Sequence, residues 1–231
     1  MSVTIATAIT NTRALLDEAS AQFWSDAQIT QWLNEGCADS QRRAEWKADT
    51  ATLPVIANTQ NYSAPDDVMR IHRVTFTPTQ QGGQQNTYTL EYRGFMEMDQ
   101  VWGINQQWPA SYPLYYTLFG QPGTGTLQII TYPVPSQAGS MVVYYFPQVV
   151  ANTTTTLNLD APAGFEDMMY DYAMYRALRK DADPRWQDSK KDYEDKLIAL
   201  VDSSRTYQDQ AGTFSTGQQA LPQWLTSSEG W

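Results

Sequence analysis

The sequence is poor in the side chains that most often carry chemistry. Its 231 residues include one cysteine and one histidine. A single cysteine excludes an intramolecular disulfide and a cysteine-rich zinc site, and a single histidine leaves no second imidazole for a metal cluster. We therefore expect a protein without a bound metal or cofactor.

Basic side chains and long apolar runs are also scarce. The chain has 15 lysines and arginines against 25 aspartates and glutamates, a formal net charge of −10. DNA affinity comes mostly from lysine and arginine, so this balance argues against DNA binding as the main task. Residues 1–16 show no secretory signal, and no stretch approaches the roughly 18 apolar residues of a membrane span. We expect a soluble protein, made in a reducing cytosol, that does not enter a membrane.

Aromatic side chains, in contrast, are abundant. Aromatics make up 13% of the chain, with 8 tryptophans and 14 tyrosines. This content is too high for a disordered chain. The length suits one large domain or two small ones with a buried core.

The charges divide the chain into three parts. Residues 1–49 carry 7 acids and 4 bases, residues 50–159 carry 5 and 3, and residues 160–231 carry 13 and 8. The weakly charged middle is rich in Thr, Tyr and Val, which favour strands. We predict an α+β fold in which residues 1–49 and 160–206 form a helical bundle domain. Residues 50–159 form a central antiparallel β-rich insertion, and residues 207–231 form an extended C-terminal arm.

Local patterns refine this prediction. Ser25 and Gln28 have the spacing of a capping box at the start of a helix. Further along that helix, small side chains share one stripe, so that another helix, of the same subunit or of a neighbour, can approach closely. Residues 52–56 and 60–63, on either side of a turn at Asn58, predict a β-hairpin. The residues predicted to pack the helices together are Trp32, Gly36, Cys37, Ser40, Tyr172 and Leu197.

The candidates for catalysis have ordinary structural explanations. His72 lies in a predicted strand beside Arg70 and Arg73, and Cys37 has no basic neighbour in sequence to lower its pKa. Two acidic groups, at residues 166–171 and 192–195, have the paired carboxylates that a glycosidase needs. Acids in the first turn of a helix also favour its dipole, and acids mixed with lysines are typical of a solvated helix face. We expect no enzymatic activity.

The end of the chain does not fit a simple monomer. Residues 207–231 have no strong periodicity, yet they contain spaced apolar side chains. Such segments often become ordered on the surface of a partner. We predict a docking arm whose anchors are Leu221, Trp224, Leu225 and Trp231.

The order of these elements resembles the head-to-tail adaptor proteins of tailed bacteriophages, also called connector or tail tubular A-like proteins. The resemblance spans about residues 1–205, and its evidence is the order of several loose motifs rather than one specific motif. The motifs lie at residues 23–26, 29–35, 61–71, 132–135, 142–147, 173–183 and 193–197.

The resemblance implies a structural role in the virion, at the head–tail junction, after synthesis in the host cytoplasm. Such adaptors form a homo-oligomeric ring, usually of twelve subunits, between the portal protein and a downstream tail or nozzle protein. Their helices pack between neighbours and line the channel, and their C-terminal extension reaches the portal. DNA passes through without sequence-specific binding, and the family has no catalytic residues.

Two other functions stay open at this stage. An aromatic-rich module associated with the tail would bind carbohydrate or protein through exposed rings. A hydrolase would need two carboxylates that converge in a cleft. The order of the elements favours the adaptor.

Overall fold

A computed structural model describes residues 3–18, 23–79, 86–102, 111–123 and 125–213. Along the chain, two helices come before the strands and two come after them, and one short helix lies between two of the strands. In chain order the elements are α1 (Ile5–Leu15), α2 (Asp26–Ala44), β1 (Asp49–Val55), β2 (Asn61–Ser63), β3 (Val68–Pro78), β4 (Tyr88–Tyr92), α3 (Phe95–Trp102), β5 (Tyr115–Phe119), β6 (Gln128–Tyr132), β7 (Gly139–Pro147), α4 (Glu166–Lys180) and α5 (Trp186–Thr213).

The start of α2 is set by local chemistry. The Ser25 side chain accepts a hydrogen bond from the Gln28 backbone, and the Gln28 side chain accepts one from the Ser25 backbone. This is the capping box that the sequence predicts. The helix ends at Glu45, whose φ of +50° turns the chain out of the helix.

Four helices share one hydrophobic core. Helices α1, α2, α4 and α5 pack against one another around it, and Trp32, Met168 and Leu197 are among its buried side chains. The segment before α4 lies along the start of α1, where the Ile5 amide donates to the Leu157 carbonyl at 3.0 Å. This contact joins the N-terminal helix to the chain that leaves the sheet.

The strands form a single seven-stranded sheet in the order β1-β7-β3-β4-β5-β6-β2. Five of the six strand pairings are antiparallel, but β4 and β5 run parallel. The edge strands β1 and β2 are joined by only five residues, 56–60, which span at most about 20 Å. The two edges therefore lie close together, and the sheet is a nearly closed barrel.

The predicted fold class is therefore wrong. The described residues form a mixed, nearly closed seven-stranded barrel with five helices, not a helical bundle with a central antiparallel insertion. The reason is the crossover after β4. Helix α3 carries the chain out of the sheet, which allows β5 to return parallel to β4. Alternation of apolar and polar residues does not distinguish parallel from antiparallel partners.

The predicted hairpin is also wrong. Strand β1 pairs with β7, with Val55 opposite Gly139, and β2 pairs with β6, with Tyr62 opposite Ile129. The turn itself exists, because Asn58 has a φ of +61° and the Tyr62 hydroxyl donates to the Thr59 carbonyl at 2.6 Å. It connects opposite edges of the barrel rather than two paired strands.

The C-terminal helix is longer than the sequence indicates. Helix α5 continues to Thr213, so the first residues of the predicted arm belong to a helix. The four predicted anchors, Leu221, Trp224, Leu225 and Trp231, lie outside the described residues.

Candidate interaction surfaces

The residues predicted to pack helices lie inside the subunit. Trp32, Cys37 and Leu197 are buried in the helical core, and Ser40 is fully buried with its hydroxyl bonded to the Cys37 carbonyl. A Cβ atom at Gly36 would lie 3.1 Å from Cγ of Tyr172, so the small residue of α2 lets α4 approach. The close approach that this structure shows is between helices of one chain.

Members of both acidic groups form ion pairs between helices. The Lys196 ammonium bonds Asp167 at 2.5 Å and Asp171 at 2.6 Å, which ties α5 to α4. Burial raises the pKa of Asp171 despite this neighbour. Glu194 bonds the Arg43 guanidinium at 2.6 Å, and this contact lowers the pKa of Glu194. These contacts hold the helices together rather than forming a pair of carboxylates in a cleft.

The single cysteine and histidine also have structural surroundings. Cys37 is fully buried, and burial raises the pKa of its thiol. A thiol kept protonated is a poor nucleophile. His72 is exposed on β3, and its ring makes a T-shaped contact with that of Phe146 at a centroid distance of 5.9 Å.

A groove of about 530 Å³ opens in the wall of the barrel, and we call it the barrel groove. One side is the first half of β3, and the other is formed by β5 and the turn that follows it. Its floor belongs to the barrel core, since Val68, Tyr116 and Leu127 are buried there. Tyr92, which is 54% exposed, stands at its end. The sequence did not indicate this groove.

Tyr116 makes the stability of the barrel sensitive to alkaline pH. Burial, with a smaller contribution from Tyr92, raises the pKa of Tyr116 to about 12. A raised pKa stabilises the fold fully below the unfolded tyrosine value of about 10, and this stability is lost as pH rises towards 12. Between pH 8 and pH 11 the loss from this group should be about 1.4 kcal/mol.

Urea unfolding at pH 8 and pH 11 checks this assignment. Between the two pH values, Tyr116→Phe should lose about 1.4 kcal/mol less stability than the unmodified chain. Tyr92→Phe is the matched control, since its ring is exposed. Equal losses in the two variants would contradict the assignment.

A second groove, of about 520 Å³, follows the outer face of α2, and we call it the α2 groove. Small side chains line much of it, among them Ala27, Thr30 and Ala38 of the helix. Ala151 and Thr153, from the chain between β7 and α4, form the opposite side. This face of α2 is different from the face that carries Gly36, which α4 covers.

Neither a metal site nor a membrane-spanning helix is found within the described ranges. No three histidine, cysteine, aspartate or glutamate side chains there come together in a way that could hold a metal ion. None of the helices in those ranges combines the length and the hydropathy of a membrane span.

The sequence matches the family described as SU10 adaptor protein over residues 3–221. No curated protein matches it. The family match covers nearly the whole chain and agrees with the resemblance drawn from the order of the motifs. Adaptors of this kind are structural components of a phage virion rather than enzymes. The chain therefore belongs to the SU10 adaptor family of bacteriophage proteins.

Proposed function

We propose that this adaptor forms a ring, of twelve subunits, which joins the portal protein to the next protein of the tail and surrounds the path of the DNA. The proposal is supported mainly by the extent of the family match. It runs from residue 3 to residue 221 and so includes the helices, the barrel and the first predicted anchor of the arm.

The α2 groove supports the ring. A ring needs a head-to-tail contact in which one face of a subunit binds a different face of the next. The groove offers a long concave surface of small side chains. We propose that a convex face of the neighbouring subunit occupies this groove.

The outer face of α5 also supports a DNA path. Four of its aspartates are exposed and follow helical spacing, with Lys191 among them. A surface of net negative charge repels the phosphate backbone, which lets DNA slide where a basic surface would hold it. The aspartates are Asp188, Asp192, Asp195 and Asp202.

The arm is proposed to dock on the portal. Tryptophan is enriched among the residues that dominate interface energies. The sequence after α5 has two tryptophans in 18 residues, with a single charged side chain, Glu229. Portal binding should therefore depend on Trp224 and Trp231.

Truncation after Thr213 tests this without cutting into α5. We expect the truncated chain and the double variant Trp224→Ala with Trp231→Ala to lose portal affinity more than tenfold, with unchanged thermal unfolding. Affinity is measured as the binding of each variant to portal protein immobilised on a surface. A control with Gln218→Ala and Gln219→Ala, in the same segment, should bind as before. Unchanged affinity of the truncated chain would rule out the arm as the portal contact.

A further inference from the structure

Strand β4 pairs with only part of β3 and part of β5, the strands on either side of it. It pairs with β3 only at Val74–Phe76 of that strand, and with β5 only at Tyr115 and Tyr116. After Tyr92 and Arg93 the chain leaves the sheet for α3. Within the described residues, no strand takes the place of β4 beyond that point.

Two strand edges therefore face the barrel groove. On one side, residues 68–73 of β3 pair with β7 but have no described strand on the β4 side. On the other, residues 117–119 of β5 pair with β6 but not with β4. The open part of β3 spans six residues, and its register with β7 shifts twice there, so an added strand would pair with it in short stretches. An unpaired strand edge is a template for another strand.

The floor of the groove is apolar. Val68 and Leu127 belong to the buried core of the barrel, and Ile71 and Leu118 pack against that core. A strand laid in the groove would direct alternate side chains onto this floor, because successive side chains of a strand point to opposite faces. Those side chains should be apolar.

The outer rim is basic. Arg70, His72 and Arg73 lie within four consecutive residues of β3, and Arg70 and His72 line the groove. Arg70 is paired with Glu45 and lies over Phe146. Arg73 stacks over Tyr144 at 4.2 Å, and its Nε atom has no hydrogen-bond partner among the described residues. Because Glu45 compensates Arg70, the positive charge that no described carboxylate compensates is that of Arg73, which lies beside the groove rather than in its lining.

We propose that the barrel groove binds an extended segment of another protein, in which apolar side chains alternate with acidic ones. The segment would run in the direction of β4, antiparallel to β3, and its backbone would pair with the open edges. Its apolar side chains would cover Ile71 and Leu118, and its carboxylates would reach Arg73. Main-chain pairing of this kind gives affinity, and the alternate side chains give specificity. This site stands whether or not the chain forms a ring.

The test uses two synthetic peptides and the full chain. The first peptide is acetylated Thr-Val-Glu-Val-Glu-Val-Thr amide, and the second has lysine in place of glutamate. We expect the glutamate peptide to bind at least tenfold more tightly, as measured by fluorescence anisotropy up to millimolar concentration. Hydrogen exchange should show new protection at residues 69–73 and 117–119.

Variants of the floor and the rim separate the two parts of the proposal. Ile71→Trp should fill the groove and weaken binding more than tenfold, and Leu118→Trp provides the same test if the first variant does not fold. Arg73→Gln should reduce the preference for glutamate two- to fivefold, as expected for a partly exposed ion pair. Arg42→Gln, which removes an exposed guanidinium from α2, should change nothing.

Several results would overturn the proposal. They are a failure of the glutamate peptide to bind, protection confined to other segments, and full binding by a folded floor variant. An unchanged preference in Arg73→Gln would overturn the acidic character of the partner. Protection of residues 69–73 that rises with protein concentration, without peptide, would assign the groove to a second copy of this chain instead.

Discussion

Replacing Arg13 by methionine should lower the free energy of unfolding by about 3–5 kcal/mol. Arg13 is 8% exposed, and its guanidinium bonds Glu18 at 3.0 Å, Asp26 at 2.5 Å and the Trp24 carbonyl at 2.7 Å. Glu18 is equally buried, and the same carboxylate accepts from the Phe23 amide. Methionine keeps an apolar stem of similar length but removes the charge, which leaves a buried carboxylate uncompensated.

The controls separate burial from charge. Arg42→Met removes a guanidinium that is 70% exposed and 3.8 Å from Asp39, and it should cost less than about 0.5 kcal/mol. Adding Glu18→Gln to Arg13→Met should restore part of the stability, since the uncompensated charge is then gone. Urea unfolding measures all of these. If the free energies of unfolding of Arg13→Met and Arg42→Met differ by less than about 1 kcal/mol, the contacts of Arg13 do not stabilise the junction of α1 and α2.

Replacing Gln41 by alanine should cost about 3 kcal/mol. Gln41 is 1% exposed, and its amide joins the helices to the sheet. Its Nε2 atom donates to the carbonyls of Lys47 at 2.8 Å and Pro147 at 2.9 Å, and its Oε1 atom accepts from the Lys47 amide at 2.9 Å. Alanine leaves these backbone groups without the side-chain amide, and each unsatisfied buried group costs about 1–3 kcal/mol.

Gln31 provides the comparison on the same helix. It is exposed, and its amide bonds the Glu35 side chain one turn away. Gln31→Ala should therefore change stability by less than about 0.5 kcal/mol, and the difference between the two variants is the contribution of the buried site. Similar unfolding midpoints in urea for both variants would show that Gln41 does not connect α2 to β7.

Local features of the fold could be predicted from the sequence. The capping box at Ser25 depends on residues three positions apart, and α2 begins where that spacing indicates. The strands at the centre of the chain follow from their composition. The family could be recognised because it depends on the order of such elements, which a single sequence displays.

Features that depend on distant partners could not be predicted. The pairing of β1 with β7 joins segments at opposite ends of the β region, and the sequence of neither segment indicates the other as its partner. The parallel alignment of β4 and β5 depends on the crossover through α3. The barrel groove exists because β4 leaves the sheet at Tyr92, so it is a property of the topology rather than of any motif. The same holds for the contact between Gly36 and Tyr172.

Native mass spectrometry can show whether this chain assembles as a ring on a portal. The chain is measured alone, with purified portal, and as the truncated form that ends at Thr213. We expect portal to gain twelve copies of the 26.1-kDa chain in a single complex, and the truncated form to add few or none. A chain that stays monomeric and adds no mass to the portal would contradict this expectation.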